Sequence, residues 1–159
     1  MSTCPLPVRA TVRDVLADLL GRDVDVSQAA PQTLAADQPA YAATYVWDDG
    51  GVAAVGIWEL PLAAGAGAAI GMATAEDAAA AVTAGALSDE QRDFFHEVAN
   101  VLAKLLNSPE TPHVKLRGLD VVPGPVPRDM AALVLQPHAR QDYAVTVEGY
   151  GEGTLTLLA

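Results

Sequence analysis

The chain contains few of the cysteine, histidine and serine residues that supply the nucleophiles and metal ligands of many enzymes. Its only cysteine is Cys4, so no internal disulfide can form, and we interpret this thiol as incidental and close to a loose N-terminus. The three histidines are too scattered along the sequence to predict a metal site. None of the four serines lies in a Gly-x-Ser-x-Gly elbow, which argues against a serine hydrolase.

Positive charge is equally scarce. Nine Lys and Arg residues stand against twenty Asp and Glu, for a formal net charge of −11, and the basic residues form no cluster. We therefore expect no binding to nucleic acid or to an anionic membrane, because both need a positive patch. The sequence has no charged-then-apolar leader and no apolar run long enough to span a bilayer, so we expect a cytoplasmic protein.

Hydrophobic residues make up 51% of the 159 residues and charged residues 18%, which is the composition of a globular protein. We expect a single domain over residues 1–159.

The glycine-rich run LAAGAGAAIG lacks the Lys-Ser/Thr pair of a phosphate-binding loop. We interpret its small residues as the beginning of a strand over residues 65–72.

Hydrophobic periodicity and turn residues predict the other elements. A helix is expected over residues 8–20 with Gly21 as its stop, and a second over residues 75–86 with Thr74 as its N-cap. Asp48-Asp49-Gly50-Gly51 predicts a hairpin. The remaining expectations are strands over 23–26, 41–47, 52–60 and 114–122, a loop over 29–40, a final hairpin of 143–149 and 153–158, and either helix or strand over 129–136. Because most strands are adjacent in sequence, the fold class is α+β with a largely antiparallel sheet.

Residues 88–107, SDEQRDFFHEVANVLAKLLN, predict a long amphipathic helix. Ser88 is a suitable N-cap, and Gln91 completes a capping box. One arc of this helix is apolar and consists of Phe94, Phe95, Val98, Val101, Leu102, Leu105 and Leu106.

The opposite face of the same helix has a polar stripe, which we define as Asp93, Glu97, Asn100 and Lys104. A carboxylate there can bind a cation and an amide can orient a water molecule, provided that another molecule docks on this face. A bare Glu-x-x-Asn is a weak motif, and a solvated helix face is the alternative interpretation.

With its flanks, this helix resembles the CheC/CheX/FliY family of chemotaxis phosphatases. The family signature is Asp or Ser, three residues, Glu, two residues and Asn on a long exposed helix, with a Pro further downstream. Asp93, Glu97 and Asn100 match the helix positions, and Pro123 is a candidate for the proline. The upstream segments GAAIGMAT, AEDAAAAVTAGAL and LSDEQ resemble a strand, a short helix and an acidic lead into the signature helix of that family.

The start of the chain, VRATVRDVLADLLGRDVDV, also resembles the first helix and strand of the family. Members with two active sites have a second signature in the first helix. Residues 8–20 contain no Glu-x-x-Asn, so the chain looks like the single-site CheX type.

The resemblance implies a CheC/CheX-like fold with a long exposed signature helix. It also implies phosphatase activity on the phospho-aspartate of a CheY-like response regulator. By this resemblance, Asn100 and Glu97 are the catalytic residues: Asn100 would hold a water in line for attack, and Glu97 would pair with the active-site Lys of the regulator. Asp93 would be a peripheral contact with the partner. The phosphorylated partner supplies Mg²⁺, so the resemblance implies no cofactor or metal of the chain's own.

Two residues depart from the family pattern. Family helices usually have a small Gly just before the Glu and another four residues after the Asn, where this chain has His96 and Lys104. On the partner-binding stripe, Lys104 could block close approach of another helix or attract a phosphate. The alternative function is therefore a non-catalytic CheX-like scaffold that binds a receiver domain, and a third option is a structural dimer whose stripe is solvated. For the CheX-like domain itself we expect a homodimer formed through the sheet.

Overall fold

The structure is a computed structural model that describes residues 3–32 and 39–159. In chain order, the elements in these ranges are α1 (Arg9–Leu20), β1 (Val24–Gln28), β2 (Ala40–Trp47), β3 (Val52–Glu59), α2 (Leu60–Ile70), α3 (Ala75–Ala84), α4 (Asp89–Leu106), β4 (Val114–Val122), α5 (Arg128–Leu135), β5 (Arg140–Val147) and β6 (Gly151–Leu158). The strands form one sheet in the order β1-β5-β6-β3-β2-β4, and every neighbouring pair is antiparallel. The predicted α+β class is confirmed.

The two faces of the sheet are covered unequally. Helices α1, α2 and α4 pack on one face, and their apolar side chains share the main core with the inward residues of the strands. Its largest fully buried members include Trp58, Tyr45, Phe95 and Leu16. The short helix α5 packs on the other face, where Met130 meets a smaller cluster of strand residues. Helix α4 therefore lies against the better covered face, with its outer side turned to solvent.

Local sequence signals correctly predicted most helix ends and turns. Gly21 ends α1 in the left-handed region at φ 64°. Gly50 also has a positive φ, 93°, in the turn of the β2–β3 hairpin. Thr74 caps α3, and both Thr74 and Ser88 form complete capping boxes with the residue three positions on. The segment left open over residues 129–136 is helical, as α5. Of the loop expected over 29–40, residues 33–38 lie outside the described residues.

The strand predicted over residues 65–72 is wrong, because residues 65–70 belong to helix α2 and residues 71–72 form the turn that follows it. The comparison of GAAIGMAT with a strand fails for the same reason. Nearly every residue of α2 is buried, so the segment is apolar on all sides and shows no helical periodicity. The glycines and the short apolar run of this segment are a sequence pattern that favours a strand.

Glycines in α2 and directly after it allow the backbone of α2 to lie very close to α4. A Cβ atom placed on Gly67 would lie 3.3 Å from both the Gln91 carbonyl oxygen and the Phe95 amide nitrogen. A Cβ on Gly71 would lie only 2.5 Å from the Phe94 ring. The small residues of the glycine-rich run therefore set how α4 sits on the core.

The interpretation of Cys4 as a thiol near a loose N-terminus is also wrong. Cys4 is buried, and its Sγ lies 3.7 Å from the Leu106 carbonyl oxygen in the last turn of α4. Burial raises the pKa of this thiol to about 11, so it is protonated at neutral pH. Cys4 acts as a small core residue that packs the end of α4.

Replacing Gly67 with Ala tests the close approach of α2 and α4. In an open helix this change stabilises by about 0.8–1.0 kcal/mol. Here the added methyl meets α4 backbone atoms, and such overpacking costs about 1–3 kcal/mol. We therefore expect Gly67→Ala to lower the free energy of unfolding measured in urea.

Gly118→Ala is the matched control, because a Cβ at Gly118 in β4 meets nothing within 4 Å. We expect this variant to be as stable as the parent or slightly more so. A gain of about 1 kcal/mol in Gly67→Ala, the full helix propensity difference, would contradict the close packing.

Candidate functional site

The polar stripe lies on the outermost side of α4. Its four side chains fall within an arc of about 60° at 100° per residue, and all four are exposed. The buried residues of the helix lie on the opposite side: Phe95, Val98, Ala99, Leu102, Ala103 and Leu106. With a rise of 1.5 Å per residue, Glu97 and Asn100 are about 4.5 Å apart along the axis, and the whole stripe is about 16 Å long. The structure thus places all four predicted site residues on one accessible face.

No stripe residue is engaged within the described parts of the chain. Across residues 3–32 and 39–159, none of these four side chains makes a hydrogen bond or a salt bridge. Asp93 and Glu97 are like charges four residues apart, a spacing that destabilises a helix by about 0.2–0.5 kcal/mol. The stripe therefore adds little to folding, and its polar groups are free to meet another molecule.

Other polar residues of α4 hold the helix in place. The Gln91 side chain donates to the Asp77 carbonyl oxygen at 2.9 Å, which ties α4 to α3. Arg92 donates to the Leu119 carbonyl oxygen of β4 at 3.0 Å. The polar side chains of this helix are thus of two kinds, those that bind the rest of the fold and those of the stripe.

Two tyrosines of strand β2 fix the height of α4 above the sheet. The buried Tyr45 hydroxyl donates to the Ala99 carbonyl oxygen at 2.6 Å, one residue before Asn100. Burial raises the pKa of Tyr45, so the hydroxyl stays protonated and able to donate. The Tyr41 hydroxyl accepts from the Leu87 amide at 2.9 Å, just before the N-cap.

An aromatic cluster supports the same region from below. The Phe95 ring packs edge-on against Trp58 and Tyr41, with centroid distances of 5.2 and 5.9 Å. Edge-to-face pairs of this kind contribute about 0.5–1.5 kcal/mol beyond the area they bury. Phe95 lies between Asp93 and Glu97 in sequence, so this packing fixes the first half of the stripe.

Asn107 fastens the far end of the helix. Its side-chain amide donates to the Ala103 and Val114 carbonyl oxygens at 2.8 and 2.9 Å, and its oxygen accepts from the Val114 amide at 2.8 Å. The side chain therefore pairs with β4 as a strand residue would. Sequence patterns missed Asn107 and Tyr45 as positioning residues, since their partners are distant backbone groups.

The two residues that depart from the family pattern lie on either side of Asn100. His96 is four residues before it and Lys104 four residues after it, so the three side chains follow one line on the helix surface. Both flanking side chains are exposed. A phosphoryl group that approaches Asn100 would meet a positive charge at Lys104. Pro123 is exposed and directly follows β4.

Other kinds of site are not evident near the stripe. In residues 3–32 and 39–159, no three or more His, Cys, Asp or Glu side chains are grouped to hold a metal ion. A cleft of about 620 Å³ lies elsewhere, between the β2–β3 turn, α5 and the chain ends, and none of the stripe residues lines it. Across the described residues, every helix is too short or too polar to traverse a lipid bilayer.

Comparison with solved structures finds the same fold in flagellar switch proteins. The FliM middle domain from H. pylori has a TM-score of 0.62 at 10% identity, over 94% of this chain and 83% of that chain. The Vibrio alginolyticus FliM middle domain has a TM-score of 0.60 at 13% identity, over 95% and 87%. Thermotoga maritima FliY has a TM-score of 0.55 at 11% identity, over 96% and 83%.

The fold is of the CheC/FliM type. H. pylori FliM is also matched in its crystal structures with SpeE and with FliG. No protein-family model and no curated protein matches the chain. At such low identity the likeness establishes the fold alone, and it does not single out the CheX type within the CheC/FliM fold.

The division between stripe and anchoring residues predicts different effects on stability for Asn100 on α4 and for Asn107 at its C-cap. Asn100→Ala removes an exposed, unengaged amide, so we expect the free energy of unfolding to change by less than about 0.5 kcal/mol. Asn107→Ala leaves polar groups of the buried Val114 without partners, and we expect a loss of about 1–3 kcal/mol. Urea unfolding of both variants measures the difference. Similar losses in the two variants would show that Asn100 is a structural residue.

Proposed function

We propose that the protein is a phosphatase for the phospho-aspartate of a CheY-like response regulator. The observation on which this rests is the placement of Glu97 and Asn100, adjacent and unengaged, on the outermost face of α4. A CheC/FliM-type fold supports it, because the resemblance that predicted the fold also predicted these two residues.

The reaction needs little from the phosphatase beyond position and electrostatics. A water oxygen attacks phosphorus in line, the bond between phosphorus and the aspartyl oxygen breaks, and the products are inorganic phosphate and a free carboxylate. Asn100 suits the orientation of this water, because an amide both donates and accepts and does not repel phosphate. Glu97 would pair with the active-site Lys of the receiver domain and fix the docked register. Mg²⁺ belongs to the receiver domain and offsets charge on the phosphoryl group.

The attachment of α4 to the sheet favours such a positioning role. Tyr45 holds the carbonyl group of Ala99, directly before Asn100, and Asn107 holds the last turn. A misplacement of about 1 Å can lower a positioned reaction about 100-fold. A site on a helix fixed at its start, middle and end meets this demand better than a loop does.

A non-catalytic scaffold is the second candidate. It is favoured by His96 and Lys104 on either side of Asn100, and by the matched FliM structures, which include FliM in complexes with FliG and SpeE. A scaffold would use the same stripe to bind a receiver domain without accelerating hydrolysis. A homodimer formed through the sheet stays a prediction for either function.

The phosphatase proposal predicts that Asn100→Ala loses activity but keeps its fold and its partner. The experiment follows the decay of phosphorylated, Mg²⁺-loaded receiver domains from the source organism with and without the protein. We expect the wild-type chain to accelerate decay and Asn100→Ala to lower that acceleration about 100-fold. Gln136→Ala removes an exposed amide at the end of α5 and is the matched control, which we expect to be fully active.

Binding measured in parallel separates the two candidates. Receiver binding without faster decay would establish the scaffold. An Asn100→Ala variant as active as the wild type would overturn the proposed mechanism.

The rate of receiver dephosphorylation by Lys104→Ala shows the role of this lysine. A higher rate means that Lys104 obstructs docking, and a lower rate means that it attracts the phosphoryl group.

A further inference from the structure

The turn between α2 and α3 exposes an apolar side chain in a strained backbone conformation. Met72 has φ 57°, and it is the only residue other than glycine with a positive φ in residues 3–32 and 39–159. Its side chain is 92% exposed. The left-handed region is costly for residues with a Cβ, so an exposed methionine there needs an explanation.

Hydrogen bonding at the end of α2 forces this conformation. The Ala73 amide donates to the Ala68 carbonyl oxygen at 2.8 Å, and the Met72 amide to that of Ala69 at 3.4 Å. This is a Schellman motif, in which the left-handed residue is usually glycine. The chain has a glycine one position earlier, at Gly71, where the Phe94 ring leaves no room for a Cβ. Methionine therefore occupies a position at which glycine would be the more stable choice.

The surroundings hold the turn rigidly. The Tyr150 hydroxyl donates to the Ala73 carbonyl oxygen at 2.6 Å, and Thr74 begins the capping box of α3 immediately afterwards. Strained residues persist where neighbouring structure determines them in this way, and they are concentrated at functional surfaces. The backbone at Met72 is therefore fixed, and its flexible side chain extends into solvent from a defined point.

The location of Met72 connects it to the polar stripe. Gly71 lies against the ring of Phe94, which is half-buried and directly follows Asp93 on α4. Met72 is the next residue, so it lies at the end of α2 that packs against the first half of α4. An exposed apolar side chain thus lies next to the residue that packs on Phe94, the neighbour of Asp93 in sequence.

We propose that Met72 is the apolar anchor by which the protein docks a receiver domain beside the phosphorylated aspartate. This inference rests on the proposed function and assigns a specificity residue outside the Asp-x3-Glu-x2-Asn pattern. Interface energy is concentrated in a few side chains that become buried, while charged groups at the edge mainly set register and partner choice. The stripe offers only polar groups, and the overall charge of −11 offers no general attraction to an acidic phosphorylated surface. A flexible thioether can fit the apolar surface of such a partner.

The test compares Met72→Asn, Met72→Gly and Met72→Leu in the receiver dephosphorylation assay. Asn and Gly tolerate the left-handed conformation but remove the apolar side chain. We expect both to raise KM about tenfold with kcat unchanged, and Met72→Gly to raise Tm by about 2–4 °C. Met72→Leu keeps the apolar surface, and we expect its KM to stay within about twofold of the wild type. Leu135→Asn is the matched control, because Leu135 is 81% exposed on α5 and we expect it to leave KM unchanged.

The results distinguish failure of the Met72 anchor from failure of the proposed function. An active wild type with unchanged KM in Met72→Asn and Met72→Gly would overturn the anchor and leave the phosphatase intact. An equal rise of KM in Leu135→Asn would also overturn it, since the effect would then come from general surface polarity. A wild type that neither binds nor dephosphorylates any receiver would reject the proposed function, and the anchor with it.

Discussion

The hydrogen bond from the Tyr45 hydroxyl to the Ala99 carbonyl oxygen is the interaction on which the candidate site most depends. It joins the central part of α4 to strand β2 inside the core, at the residue before Asn100. Around it, the Phe95 ring packs on Trp58 and Tyr41, and Gly67 allows α2 to touch the α4 backbone. The helix therefore has one position on the sheet, and its outer face is a fixed platform. A surface for orienting a water molecule needs this property more than it needs any reactive group.

The chemistry of the platform follows from which side chains the fold leaves free. Gln91 and Arg92 of α4 and its C-cap residue Asn107 have polar side chains that bond to other elements. Asp93, Glu97, Asn100 and Lys104 face solvent together. No serine or cysteine lies among them, so the stripe does not offer the hydroxyl or thiol nucleophile of serine and cysteine hydrolases. An amide and a carboxylate on a rigid rod instead suit a reaction in which the partner brings both the labile phosphate and the metal ion.

Sequence patterns predicted the elements whose determinants are local. The caps at Thr74 and Ser88, the stop at Gly21 and the face of α4 depend on residues three or four positions apart, which a sequence displays directly. The helix α2 was missed because burial on all sides removes its periodicity. The anchoring roles of Tyr45 and Asn107 and the burial of Cys4 depend on partners distant in sequence or on backbone atoms. The same holds for Met72, whose left-handed conformation is set by the backbone hydrogen bonds that end α2.

Nuclear magnetic resonance of the isotope-labelled protein can test whether the outer face of α4 docks a receiver domain at its phosphorylation site. Receiver domain would be added with Mg²⁺ and beryllofluoride, which mimics the phosphoryl group. We expect chemical-shift changes concentrated at Asp93, Glu97, Asn100 and the Met72 methyl, and larger changes with the activated receiver than without beryllofluoride. Changes confined to the cleft near Trp47 and His138 or to the edge of β4, with α4 unperturbed, would contradict this docking.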